Sequence, residues 1–208
     1  MRYLISLLLT FTFYTYADDH DEMYSEAYGD YLYCSAKEGL SESKSERMFE
    51  KWAEAYQEKA NSLDDNVSSV MLWPWYTNEE MRGGEEMFFV THAPTMKEMG
   101  EFQVAMWNMI NDDKRFPENP MECKDSSIAF QRIGPSTGDP ENPWNFFTVD
   151  YWPCKYTENA DPVALRTAHA EMAKEHYANG AEGGYRYIYP GAGSPRGEGP
   201  DFWVSAAS

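Results

Sequence analysis

The residues able to carry chemistry in this 208-residue chain are its four histidines, its three cysteines and two arginines in glycine-rich stretches. His92 stands in "VTHAP", near the end of an apolar run. An imidazole titrates near neutrality, so His92 is the catalytic candidate; the plainer role is a structural hydrogen bond at a strand end. His169 and His176 lie in "HAEMAKEH", two helical turns apart, about 10 Å along the axis. That is too far to share a metal, which needs i, i+4 spacing on a helix. Cys34, Cys123 and Cys154 also lack the close ligand spacing of zinc sites. No metal and no cofactor are expected. Arg82 in "RGGEE" and Arg196 in "GAGSPRGEG" are candidates for holding an anion, against the plainer reading of solvated loop residues. Neither stretch sits between a strand and a helix as a phosphate cradle does, and the chain has no G-x-S-x-G, P-loop or dinucleotide fingerprint. Whether it is an enzyme stays open on this ground.

The start of the chain must be set aside before the fold is read. "MRYLISLLLTFTFYTYADD" has Arg2, an apolar run from Leu4 to Tyr16, and Thr15 and Ala17 as small residues before a cut. The run is shorter than the ~20 residues needed to cross a ~30 Å hydrocarbon core. Residues 1–17 therefore read as a cleavable secretory signal, and the mature protein is expected to be secreted or periplasmic, with no membrane span. Asp and Glu number 35 against 17 Lys and Arg, a net charge of −18. Such a field repels nucleic acid and anionic lipid, so neither is an expected partner. Asn66-Val67-Ser68 fits a glycosylation acceptor, relevant only in a eukaryotic source.

The elements that must position these residues occur twice. "DYLYC" (Asp30 to Cys34) returns as "DYWPC" (Asp150 to Cys154), each followed by a loop and a helical pattern. "WPWYTNEEMRGGEEMFFVTHAP" from Trp73 lies without gaps on "YIYPGAGSPRGEGPDFWVSAAS" from Tyr187, placing Phe88-Phe89-Val90 on Phe202-Trp203-Val204. In the first copy, strand 30–34 leads to a helix at 43–61 with Phe49, Trp52, Ala53 and Tyr56 on one stripe and Ser43 or Ser45 as cap. Strands follow at "SSVMLWPWY" and "EMFFVTHAP", then a helix with Met99, Phe102, Met106 and Met109 at helical spacing, then strand "SSIAFQRI". This is the ferredoxin-like β-α-β-β-α-β order. The expected division is 18–29 acidic segment, 30–134 first unit, 135–145 linker and 146–208 second unit. In the second, Asp161 caps a helix opened by Pro162.

In the ferredoxin-like order, strand four lies antiparallel beside strand one, which brings Cys34 and Cys123 to the same end of neighbouring strands. A Cys34–Cys123 disulfide is expected, with Cys154 unpaired. The second copy stops after its third strand, so it reads as incomplete. A second chain covering its open edge, in a homodimer, is the alternative.

Strands such as "VMLWPWY", "MFFV" and "YIY" carry bulky groups on both parities, so both faces of the sheet should be covered, one by helices and one by the other unit's sheet. The expected class is α+β: tandem ferredoxin-like units packing sheet to sheet as an α+β barrel. This twinned pattern, spanning Asp30 to Ser208, resembles the dimeric α+β barrel superfamily, which includes NIPSNAP-like and EthD-like proteins and small monooxygenases. The resemblance implies a small hydrophobic or aromatic ligand in the barrel interior. The positions expected to line it are Tyr31, Tyr33, Trp73, Trp75 and His92. The competing expectation is a solid barrel core in a structural or protein-interaction module.

Overall fold

The computed structural model describes residues 23–63, 66–73, 87–137, 148–193 and 199–207. Its elements run β1 (Ser25–Ala36), α1 (Glu42–Asn61), β2 (Ser68–Leu72), β3 (Met87–Ala93), α2 (Met96–Asp112), β4 (Met121–Ser136), β5 (Val149–Cys154), α3 (Pro162–Ala178), β6 (Gly184–Pro190) and β7 (Phe202–Ala207). The class is α+β. The strands form one antiparallel sheet ordered β2-β3-β1-β4-β6-β7-β5. The first four have the ferredoxin-like arrangement, and the last three repeat it as far as the chain goes. The two units therefore join edge to edge through β4 and β6, where two separate packed sheets were expected.

Local chemistry explains most boundaries. Thr95 accepts the Glu98 N–H at 3.1 Å and donates to the Glu98 carboxylate at 2.7 Å, a reciprocal cap that starts α2. Asp161 accepts from the Val163 and Ala164 N–H groups at 2.9 and 3.1 Å, with Pro162 opening α3. The cap expected for the first helix differs. Helix α1 begins one turn earlier than Ser45, with Ser41 at the N-cap and no side-chain capping bond. Ala53, expected on the buried stripe, is exposed at its margin, while Trp52 is buried. Strands β1 and β4 are longer than their apolar patterns. Ser25 pairs with Ile133 and Ala36 with Met121, so ladder pairing holds polar residues such as Glu122 and Asp125 in strand conformation.

All three helices pack on the same face of the sheet. Trp52 of α1 joins Cys34, Met87, Phe89 and Met121 in one core cluster, with Tyr56 stacked on Trp52 at 4.9 Å. Gln103 of α2 donates to Asp30 of β1 at 2.6 Å; burial raises the Asp30 pKa and this hydrogen bond opposes the rise. Under α3, Ala170, Tyr187, Phe202 and Tyr24 form the second cluster. The Tyr24 hydroxyl donates to the Arg166 carbonyl at 2.6 Å. Cys34 and Cys123 face each other across β1 and β4 and are joined by a disulfide, while Cys154 is a free thiol packed beside the second cluster.

The repeat is real in outline, but its register needs a correction. Cys34 pairs with Met87 and Cys154 pairs with Phe202, so Phe202 corresponds to Met87 and Trp203 to Phe88. The gapless alignment is off by one residue in this strand. In a β-strand that slip exchanges the two faces, putting a helix-side Phe202 where Phe88 points the other way.

Candidate functional site: the concave face of the sheet

The face away from the helices follows from register, because directly paired residues point to the same side. Leu32 packs against the first core cluster and Tyr187 lies in the second, so their strand neighbours Tyr31, Tyr33, Arg186 and Ile188 point away from the helices. Tyr31 pairs with Val90 and Ser127, Gly29 with His92 and Ala129, and Arg186 with Ser205, which in turn pairs with Tyr151. These side chains share one surface. Arg186 on β6 and His92 on β3 are separated by two strands, about 14 Å on a flat sheet. Yet Nη1 of Arg186 lies 3.0 Å from His92 Nε2. The sheet therefore curls, with this face inside.

A polar network runs along its centre. Arg186 Nη1 donates to Gln131 Oε1 at 3.0 Å, and Gln131 Nε2 donates to the Tyr31 hydroxyl at 2.7 Å. Gln131 is fully buried, in space made by a missing side chain: a Cβ on Gly29 would come within 2.2 Å of Gln131 Nε2. Arginine can only donate, so the His92 nitrogen facing it at 3.0 Å is the unprotonated one. Burial, reinforced by the Arg186 charge, lowers the His92 pKa to about 3, so the imidazole is neutral at neutral pH. Burial likewise raises Tyr31 beyond its usual range and Tyr151 to about 12, although Arg186 opposes both shifts. Tyr151 leaves 38% of its surface exposed; its crowded hydroxyl sets the shift. Both hydroxyls stay protonated. To one side, Tyr33 meets Phe88 edge to face at 5.3 Å, and its hydroxyl lies 3.1 Å from Ser127 Oγ.

Of the residues expected at the site, Tyr31, Tyr33 and His92 lie together on this face. Trp73 does not join them. It follows Leu72, which pairs with Phe88 on the concave side, so alternation turns Trp73 to the helix side, edge-on to Phe49 at 6.4 Å and 58% exposed. Trp75, Arg82 and Arg196 lie outside the described residues. Gln131, Arg186 and Tyr151 were not anticipated. A single arginine inside the tyrosine run "GYRYIYP" was the available signal, as was the match of Tyr151 to Tyr31 in the "DYLYC" and "DYWPC" repeat. Among the described residues there is no group of three or more potential metal ligands, and no helix long and apolar enough to cross a membrane. A separate cleft of about 540 Å³ opens beside α1 and α2, lined by Glu58, Lys59, Met109, Arg115 and Phe116, well away from the network.

No protein-family model matches this chain, and no curated protein matches it. Solved structures do. Chlorite dismutase from Candidatus Nitrospira defluvii in complex with imidazole is 11% identical, with a TM-score of 0.47, covering 88% of this chain and 76% of that one. A mutant of the same enzyme is 13% identical, with a TM-score of 0.46 and the same coverage. At this level the likeness carries nothing about what this chain binds or does.

Proposed function

We propose that this is an exported protein that binds a small hydrophobic or aromatic molecule on the concave face of its α+β sheet. One observation carries the reading: the face opposite the helices combines the Tyr33–Phe88 aromatic pair with a few convergent polar groups at Tyr31, His92 and Gln131. Apolar walls with a small set of fixed polar groups are the usual character of a small-molecule site. The leader-like residues 1–17 and the Cys34–Cys123 disulfide support export. His92 is neutral and accepts from Arg186 through Nε2, which leaves its proton on Nδ1.

The test is a titration of the uncharged probe N-phenyl-1-naphthylamine, followed by its fluorescence. One saturable site is expected, weakened by Tyr33→Ala and untouched by Trp107→Ala on the exposed side of α2. No saturable binding, or equal loss in both variants, would overturn the proposal in favour of a solid core.

A further inference from the structure

The guanidinium of Arg186 is half-buried on the concave face, yet its only hydrogen-bond partners among the described residues are neutral. Nη1 is shared between His92 and Gln131. Nη2 and Nε make no hydrogen bond among the described residues, and neither is buried out of reach. Carboxylates are not scarce in this chain. It has 35 Asp and Glu, and Arg132, Lys37 and Lys59, for example, each reach one, at 3.4, 3.2 and 3.0 Å. Among the described residues, the groups that act on Arg186 from the concave face cannot carry a negative charge near neutral pH: His92, Gln131, and the protonated hydroxyls of Tyr31 and Tyr151. A partly desolvated charge without a counter-ion is costly. This one is held in place by a buried glutamine, for which Gly29 leaves room.

We infer that Arg186 is the anchor for an anionic group, so that the ligand of the concave face is an aromatic or hydrophobic acid. Its carboxylate or equivalent oxyanion would take the free Nη2 and Nε edge, a two-pronged donor that matches two acceptor oxygens. Tyr151, whose partner Ser205 is also the partner of Arg186, adds a hydroxyl donor beside it. His92 and Gln131 are positioning residues: they fix the guanidinium through Nη1 and leave the other edge open. The net charge of −18 works against any anion approaching the protein. Selectivity for an anion would therefore have to come from this one local cation.

This inference rests on the small-molecule reading above, and a matched pair of probes separates the two. 1-Anilinonaphthalene-8-sulfonate and N-phenyl-1-naphthylamine share an arylamine body and differ in the anionic group. The unaltered protein is expected to bind the sulfonate at least about tenfold more tightly, the size of one charge-assisted bidentate contact. Arg186→Gln should erase that preference and leave the neutral probe within about twofold, and Arg186→Lys should restore part of it. Equal affinity for the two probes in the unaltered protein, or a sulfonate preference that survives in folded Arg186→Gln, would overturn the inference while the small-molecule reading stands. Failure of both probes to bind would overturn both. The comparison in the unaltered protein decides the matter even if the glutamine variant does not fold.

Discussion

Replacing both members of the Cys34–Cys123 pair by alanine tests how the concave face is held. The bond ties β1 to β4 at a sequence separation of 89, and these two strands carry Tyr31, Tyr33, Ser127 and Gln131. In the chain-entropy description, a closed loop of that length removes about 4.5 kcal/mol of unfolded-state freedom at 25 °C. Engineered and native bonds return less or more according to strain, so the expected loss is about 3–5 kcal/mol. Alanine is the right replacement because Cys34 is fully buried beside Trp52 and Phe89, where a serine hydroxyl would add its own penalty. For a chain of this size, each kcal/mol moves the melting temperature by roughly 2–4 °C, so a fall of roughly 6–20 °C should be seen. Urea unfolding gives a second reading, because the freed unfolded chain exposes more surface and raises the m-value. A loss below about 1 kcal/mol with an unchanged m-value would refute the reasoning.

Other consequences are equally direct. Because His92 is held at about 3 in the folded protein against about 6.5 in a free chain, the unfolded chain takes up the proton first as pH falls. Its contribution is fully present above about pH 6.5 and is lost at about 1.4 kcal/mol per pH unit as pH falls towards 3. Chemical denaturation of the protein and of His92→Asn should diverge with that slope, and parallel pH profiles would contradict it. Thiol labelling in denaturant without reductant should modify Cys154 alone; three labelled cysteines would mean the disulfide does not form. Trp52→Ala should cost about 3–5 kcal/mol in urea unfolding, because it empties the centre of the first core. Trp73→Ala, more than half exposed, should cost about 0.5 kcal/mol or less, and a comparable loss would place it in a core after all.

The element order was readable because the hydrophobic periods of 3.6 and 2 are local, as is the cap at Asp161. The disulfide was readable because the ferredoxin-like order itself makes strands one and four neighbours. What stayed hidden depends on pairing. The gapless repeat misplaced β7 by one residue, since aromatic pairs such as Phe88-Phe89 and Phe202-Trp203 look alike in either phase, and only the Cys34–Met87 and Cys154–Phe202 rungs separate them. The same ambiguity put Trp73 among the ligand-facing residues. Arg186 and Gln131 went unnoticed for a different reason: a polar residue in a strand looks solvent-facing until β4 joins β6 and the sheet curls over it.

The most direct test of the central claim is to follow side-chain amide and imidazole signals by NMR while titrating an aromatic probe such as 2-naphthol. Gln131 lies at the middle of the concave face, fully buried and bonded to both Tyr31 and Arg186. The account predicts that its side-chain amide and the His92 ring shift together, saturably, with the backbone amide of Gly29. Shifts confined to Glu58, Lys59 and Phe116 around the cleft beside α1 and α2 would contradict it.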